Sequence, residues 1–364
     1  MAVDKQAGVE ERGVLVGISG GVDSAVAALL LKEEGYRVTG VTLRLWSDPA
    51  SVDRRTACSV EALEHAKSVA ATLGIPHLIV DASEAFQAAV VRYFIQEHEG
   101  GRTPNPCVKC NSRFRFGLFS DIARREGLAH IATGHYARMI GDPPGLARGV
   151  DPGKDQSYVL AEVAPELLRQ CIFPLGGMRK AAVKARAEKA GLAGRVVPES
   201  QEICFIPDHD HRRFLKERLG ERPGALVDGA GRRLGKHSGV YNFTIGQRKR
   251  LGIAGAGPLY VTEVIGERGE VVVGPAAKLA VGSLEIGDAV HHRAAAGENL
   301  TVQWRSSGDA LPARLAGPRT ILLDRPAMAV SPGQTAVLYD GDMVVLAGTI
   351  LSTRPWPGSA HRST

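Results

Sequence analysis

Long apolar runs are missing from this chain of 364 residues. The nearest approach, from Val14 to Leu31, is interrupted by Asp23, which argues against a membrane span or a secretory leader, so a cytoplasmic location is expected. Cysteine is scarce and odd in number: five residues, Cys58, Cys107, Cys110, Cys171 and Cys204. In a reducing compartment that count argues against a structural disulfide framework, and whatever these thiols do must be sought locally. Internal repeats are absent, as is low-complexity sequence before the polar tail after Pro357. A strong charge imbalance is missing too: 45 Lys and Arg against 39 Asp and Glu leave a formal charge of +6, which permits a polyanionic partner without requiring one. The length suggests two or three domains with ample apolar residues for their cores.

What is present is a stretch that organises the rest: Gly17, Ile18, Ser19, Gly20, Gly21, Val22, Asp23 and Ser24. It follows Val14-Leu15-Val16, which reads as a buried parallel strand, and leads into Ala25 to Leu31, a helix former too apolar to be exposed. The loop thus lies at a strand-to-helix turn. Gly20 and Gly21 allow close backbone approach, Ser19 and Ser24 add hydroxyls, and the amides of the new helix offer partial positive charge to an anion. A Walker loop would end in lysine, whereas Asp23 stands at the end of this one. A cradle without that lysine suits pyrophosphate. Two glycines, two serines and an acid between strand and helix are more than an ordinary glycine-rich turn demands.

Taken in order, Arg37 to Trp46 is a second strand. A helix with apolar positions from Ala62 to Leu73 follows and ends at Gly74, and His77 to Asp81 is a third strand. This alternation predicts an α/β fold with a doubly wound parallel sheet, whose ligands lie beyond the carboxyl ends of the strands. Ser83 is expected to cap a helix through Phe86, Val90 and Phe94. Pro104, Asn105 and Pro106 are expected to hold Cys107 and Cys110 on or just after a rigid loop. Ile131 to Tyr136 reads as another strand, residues 141–153 as a flexible excursion, and 179–190 as a basic amphipathic helix. After about Arg222 the pattern changes to short strands and Gly-rich turns, with Tyr241 to Thr244 among the strands and a basic knot at Arg248 to Arg250. A closed β-barrel is expected from Gly282 onward. The domains are therefore placed at residues 1–205, 206–278 and 279–364.

Cys107 and Cys110 form a CxxC pair, a spacing that serves a redox disulfide, a zinc half-site or part of an iron-sulfur set. A zinc site would need Cys204 with His209 or His211, beside which Arg212 and Arg213 are unfavourable. Arg102, Lys109 and Arg113 are expected to favour thiolate at the pair. Cys204, between Ile203 and Phe205, is either a second reactive thiol or a small buried hydrophobe.

The SGGVDS block resembles the pyrophosphate loop of the ATP pyrophosphatases, with Ala25 where that group usually has another hydroxyl. Together with GRTPNPCVKCN from Gly101, ATGHY from Ala132, KDQSY from Lys154, SQEICFI from Ser200, FTIGQRK from Phe243 and SPGQTAVLY from Ser331, it resembles the bacterial tRNA-specific 2-thiouridylases. The resemblance covers nearly the whole chain. It implies an ATP-dependent exchange of oxygen for sulfur at C2 of the wobble uridine of tRNAs for Lys, Glu and Gln, with AMP and pyrophosphate as products. By the same resemblance, Gly17 to Ser24, Leu43 and Gly134 hold ATP with Mg2+, Cys110 is the nucleophile, and Cys204 carries a persulfide delivered by a sulfur-donor protein. Asn105, Pro106 and Cys107 surround the target base, and His135, Lys154, Asp155, Gln156, Arg305, Ser306 and Gln334 touch the anticodon region of tRNA. Two positions depart from the pattern, Cys107 for an Asp and Ser306 for a Tyr.

Cys107 leaves two arrangements open: a Cys110–Cys204 redox couple, which is preferred, or a [4Fe-4S] cluster on Cys107, Cys110 and Cys204. Two other functions compete: a different adenylating ligase with the same loop, which would need no paired cysteines, and a non-catalytic tRNA-binding protein, which would not consume ATP.

Overall fold

A computed structural model describes residues 12–50, 60–192, 203–253, 257–295 and 299–357. Cys58 and the first three residues of SQEICFI lie outside the described residues. The chain forms two compact units, Met1–Val91 with Cys107–His209 and Asp342–Val344, and Arg92–Pro106 with Asp210–Gly341 and Val345–Thr364.

In the first unit the chain runs β1 (Gly13–Gly17), α1 (Val22–Glu33), β2 (Arg37–Arg44), α2 (Val60–Leu73), β3 (His77–Asp81) and α3 (Ser83–Phe86). A π-helical turn, Gln87–Val91, follows α3, and the next helix in the chain, α4 (Arg92–Glu99), belongs to the second unit. Then come α5 (Pro106–Cys110), a second π-helical turn (Asn111–Arg115), α6 (Phe116–Arg125) and β4 (His130–Ala132). The series closes with β5 (Ala137–Ile140), β6 (Gly145–Arg148), α7 (Ser157–Leu160), α8 (Pro165–Leu168), β7 (Cys171–Ile172) and α9 (Lys180–Lys189).

Five strands form a parallel sheet in the order β3-β2-β1-β4-β7, with Val14 opposite Val38 on one side and His130 on the other. Val14, Leu15 and Val16 have no exposed surface, as expected where a strand is covered on both faces. On the helix that follows, Ala25, Val26, Ala27, Ala28 and Leu31 are buried in the same core as Val69, Leu175 and Val183. The chain leaves β1 toward β2 on one side and returns to β4 on the other, so a crevice opens at the carboxyl ends of β1 and β4. The SGGVDS loop follows β1 there, and Gly134 follows β4.

Several local expectations are corrected. Residues 101–105 form the expected loop, and what the sequence did not announce is that Pro106 then begins helix α5, where a first-turn proline lacks only an N–H that would be unbonded anyway. Cys107 and Cys110 therefore stand on a helix. Ser83 is not the cap of α3; its N–H and hydroxyl both donate to Asp81 Oδ1, at 3.1 and 2.7 Å. Residues 137–148 form an ordered hairpin of β5 and β6, with Ala137 opposite Arg148, where a flexible excursion was expected from residue 141. The strand at Ile131 ends at Ala132, which frees Thr133 to His135 to line the crevice.

The second unit holds two β-structures. β8 (Gly224–Asp228), β9 (Arg233–His237), β10 (Tyr260–Ile265) and β11 (Glu270–Gly274) pair in the order β10-β11-β8-β9 around Leu226, Val261, Val271 and Val273. Tyr241 to Thr244, expected as strand, begins instead in a 3-10 turn, Val240–Asn242. β12 (Ala280–His291), β13 (Leu300–Gln303), β14 (Leu311–Leu315), β15 (Thr320–Met328), β16 (Thr335–Asp340) and β17 (Met343–Pro355) form the expected barrel, closed by β12 against β17 with Ile286 opposite Ile350. Leu284, Val302, Ile321, Leu338 and Leu346 fill it. Among the described residues no helix is long and apolar enough to cross a membrane.

Candidate active site

The loop between β1 and α1 is held in shape by its own serines. The Ser19 N–H donates to Ser24 Oγ at 3.1 Å, and the Ser24 hydroxyl donates to the Gly21 carbonyl at 3.0 Å. Gly20 has φ +79°, the left-handed region that favours glycine, and a Cβ there would come within 2.8 Å of the Ala62 carbonyl. No side chain caps α1 at Gly21, so the first amides of the helix face the crevice without a capping partner.

A cavity of about 210 Å³ opens at this point. Of the residues assigned to the site from sequence, Gly17, Ile18, Ser19, Asp23, Ser24, Leu43, Gly134, His135 and Gln156 line it. They arrive from four separate segments. Gly134 is pressed against the loop, since a Cβ there would lie 2.8 Å from both the Asp23 carbonyl carbon and the Ser24 nitrogen. Gln156 is tied to the same wall: its N–H donates to the Tyr136 carbonyl at 2.8 Å, and its Oε1 accepts from the Tyr136 N–H at 2.9 Å.

Asp23 is engaged on several sides. Lys180 Nζ bonds both of its oxygens, at 2.7 and 2.8 Å, and the Tyr136 hydroxyl donates to Oδ1 at 2.7 Å. Burial, and then the bond to Asp23, raise the Tyr136 phenol well above its usual range, so it stays a donor. The cation absent from the loop is thus supplied by the first residue of α9. From sequence, Lys180 belonged simply to a basic amphipathic helix; its partner lies 157 residues away and no local pattern announces the pairing.

Cys110 is buried, Cys204 half-buried and Cys107 exposed. The basic residues beside them differ from the expectation. Lys109 is buried against Glu162, and Arg102 bonds Glu97 at 2.7 Å. Arg115 takes their place, with Nη2 3.9 Å from Cys110 Sγ. Burial opposes the Arg115 charge, but Cys110, Cys204 and Cys107 outweigh it and raise its pKa. Although Cys107 is exposed, desolvation by the surrounding protein and then Cys110 push its thiol up to about 11, so it is not a ready thiolate. His135, whose Nδ1 lies 2.7 Å from Thr133 Oγ1, is pushed down to about 3 by burial and then Arg115, so it is neutral at pH 7.

Phe86 joins the two cysteine segments. Its ring packs edge-on against Phe114 at 5.5 Å, four residues past Cys110, and against Phe205 at 5.8 Å, next to Cys204. Among the described residues no three His, Cys, Asp or Glu side chains converge as a group able to hold a metal.

Asp155 has both oxygens in use, Oδ2 accepting from Arg148 at 3.0 Å and Oδ1 from the N–H groups of Gly149 and Ser157. Lys154 is half-buried beside it. In the second unit, Asn105 and Pro106 precede the CxxC pair, and Gln334 Nε2 donates to the Thr103 carbonyl at 2.6 Å. Arg305 and Ser306 are exposed after β13, with Arg305 Nη2 on the Ala329 carbonyl at 2.8 Å. Arg248, Lys249 and Arg250 are exposed as well.

A parallel sheet with a lysine-free, serine-braced loop at its switch point defines a nucleotide-binding domain of the ATP pyrophosphatase class. Residues 12–208 match the family described as the tRNA methyl transferase HUP domain, residues 212–275 its PRC-barrel domain, and 285–350 the aminomethyltransferase beta-barrel domain. The bifunctional protein NifU/MnmA of Rubrobacter xylanophilus is 47% identical over 348 residues, 93% of this chain and 70% of that protein. The tRNA-specific 2-thiouridylase MnmA 1 of Caldanaerobacter subterraneus is 42% identical over 369 residues, 93% of this chain and 97% of that one. A U34-tRNA thiolase NcsA of Methanococcus maripaludis, solved with its [4Fe-4S] cluster, covers 58% of this chain and 68% of its own at 18% identity, with a TM-score of only 0.32. The chain belongs to the tRNA-specific 2-thiouridylase family.

Proposed function

We propose that this chain is a tRNA-uridine 2-sulfurtransferase that adenylates C2–O of the wobble uridine with ATP and replaces that oxygen with sulfur. The observation that carries the reading is that one cavity wall joins the phosphate loop to a thiol: Arg115 lines the cavity of Ser19 and Asp23 and lies 3.9 Å from Cys110 Sγ.

A uridine C2 oxygen is a poor leaving group. Attack of that oxygen on the α-phosphorus releases pyrophosphate and makes AMP the leaving group. Asp23 would be the residue to hold the Mg2+ that accompanies ATP, and that ion would neutralise phosphate charge. Loaded as a persulfide by a donor protein, Cys204 offers a transferable sulfur. Cys110 attacks the inner sulfur, a Cys110–Cys204 disulfide forms, and hydrosulfide is released to attack C2 and expel AMP. A reductant then reopens the disulfide. Cys107 takes no part in this sequence.

In this reading residues 1–205 form the catalytic segment, and 206–278 and 279–364 extend the tRNA contact. Gly17 to Ser24, Leu43 and Gly134 hold ATP, and Asn105, Pro106 and Cys107 flank the base. Contacts to tRNAs for Lys, Glu and Gln fall to His135, Lys154, Asp155, Gln156, Arg305, Ser306 and Gln334. Incubation with unmodified tRNA, a persulfide donor and labelled ATP should give AMP, pyrophosphate and 2-thiouridine at the wobble position. Cys110→Ser and Cys204→Ser should each abolish the thionucleoside. ADP and phosphate as products, or thiolation that survives both substitutions, would sink the proposal.

A further inference from the structure

The π-helical turn Asn111–Arg115 sits directly after Cys110, and the N–H of Phe116 bonds the Asn111 carbonyl in the five-residue spacing of that helix. In an α-helix residue i+5 points well away from residue i. The wider π turn swings it back toward the same side, and it is residue 115, five after Cys110, whose guanidinium reaches the Cys110 sulfur. Single π turns inside helices are frequent at functional sites.

Arg115 also lines the nucleotide cavity, and among the described residues lining it Arg115 is the one Lys or Arg. His135, the other basic group on that wall, is uncharged at neutral pH. Lys180 is held on Asp23 by two bonds. A triphosphate entering here meets loop amides, hydroxyls and one cation, Arg115, whose charge is set against the thiols of Cys110, Cys204 and Cys107.

We propose that Arg115 is the anion-holding residue of the site: its guanidinium takes the α-phosphate oxygens that depart as AMP, beside the Cys110 sulfur. The inference rests on the sulfurtransferase reading above and adds the group that receives charge in its last step. When hydrosulfide attacks C2 and the C–O bond breaks, its electron pair passes to the AMP oxygen, and the phosphate gains one negative charge. A planar guanidinium can offer two N–H donors to that phosphate. It would also keep the phosphate near the thiol that releases the sulfur.

The test compares AMP with adenosine by calorimetry on the full-length protein and its Arg115→Met and Arg115→Lys variants. Arg115→Met should weaken AMP by about tenfold or more and leave adenosine within about twofold. Arg115→Lys keeps the charge without the fork and should weaken AMP by a smaller factor, about threefold. AMP affinity unchanged in Arg115→Met, or AMP and adenosine weakened equally, would overturn the proposal while leaving the sulfurtransferase reading intact. Should Arg115→Met fail to fold, Arg115→Lys decides, and wild-type affinity for AMP in that variant overturns the assignment. Wild-type protein that binds neither AMP nor adenosine overturns both readings.

Discussion

Gly134→Ala is the sharpest probe of how the loop is held. The added methyl would stand 2.8 Å from the Asp23 carbonyl carbon, 2.8 Å from the Ser24 nitrogen and 3.0 Å from the Asp23 carbonyl oxygen. Carbon atoms rest at about 3.5–4.0 Å, so the clash is more than half an ångström and falls on backbone that no rotamer change can move. Either β4 or the first turn of α1 must shift, at a cost of about 1–3 kcal/mol. For a domain of this size that corresponds to about 2–4 °C in Tm per kcal/mol. Gly21→Ala is the control: its φ is −88°, and the nearest atom to its Cβ is Ser19 Oγ at 3.4 Å. Thermal melts and ATP titrations of both variants should separate the two effects. Gly134→Ala should lose both stability and ATP affinity, whereas Gly21→Ala should keep its Tm and lose affinity only where its methyl meets phosphate. A Gly134→Ala protein that melts and binds ATP as the wild type does would refute the idea that Gly134 braces the loop.

Two further outcomes follow from buried charge. Lys109→Met removes the counter-charge from Glu162, both side chains being under 5% exposed, and should cost about 3–5 kcal/mol in urea unfolding. Adding Glu162→Leu should restore most of it, and a double variant no more stable than the single one would contradict this account. His98, pushed to about 3 by burial and then His211, refuses a proton that the unfolded chain accepts near pH 6.5. Its folded pKa is depressed, so its contribution is complete above 6.5 and lost as pH falls. Between pH 7 and 5 the loss should be about 2 kcal/mol, and His98→Leu should flatten that part of the pH–stability curve measured by urea unfolding.

The phosphate loop was legible because its information is local. Eight consecutive residues carry the glycines, hydroxyls and acid, and the apolar runs on either side specify the strand and helix that frame them. The parallel sheet followed from alternation, and the barrel from short strands at regular spacing. The CxxC pair does follow the expected rigid loop, but the helix it stands on was not legible, because Pro106 carries the same letter whether it ends a helix or begins one and only its neighbours' hydrogen bonds decide. Arg115 was visible as a basic residue among others, but the π turn that aims it at Cys110 has no local sequence mark.

The remaining features depend on contacts between distant segments. Asp23 meets Lys180 across 157 positions and Tyr136 across 113, and Phe86 gathers the rings beside both reactive cysteines. Local propensity says where a helix starts, yet it carries no information about which helix end will arrive at another loop. By itself, the sequence determined the elements, the loop chemistry and the family. Tertiary packing decided which cation balances Asp23, which guanidinium faces the thiol, and which lysine is buried.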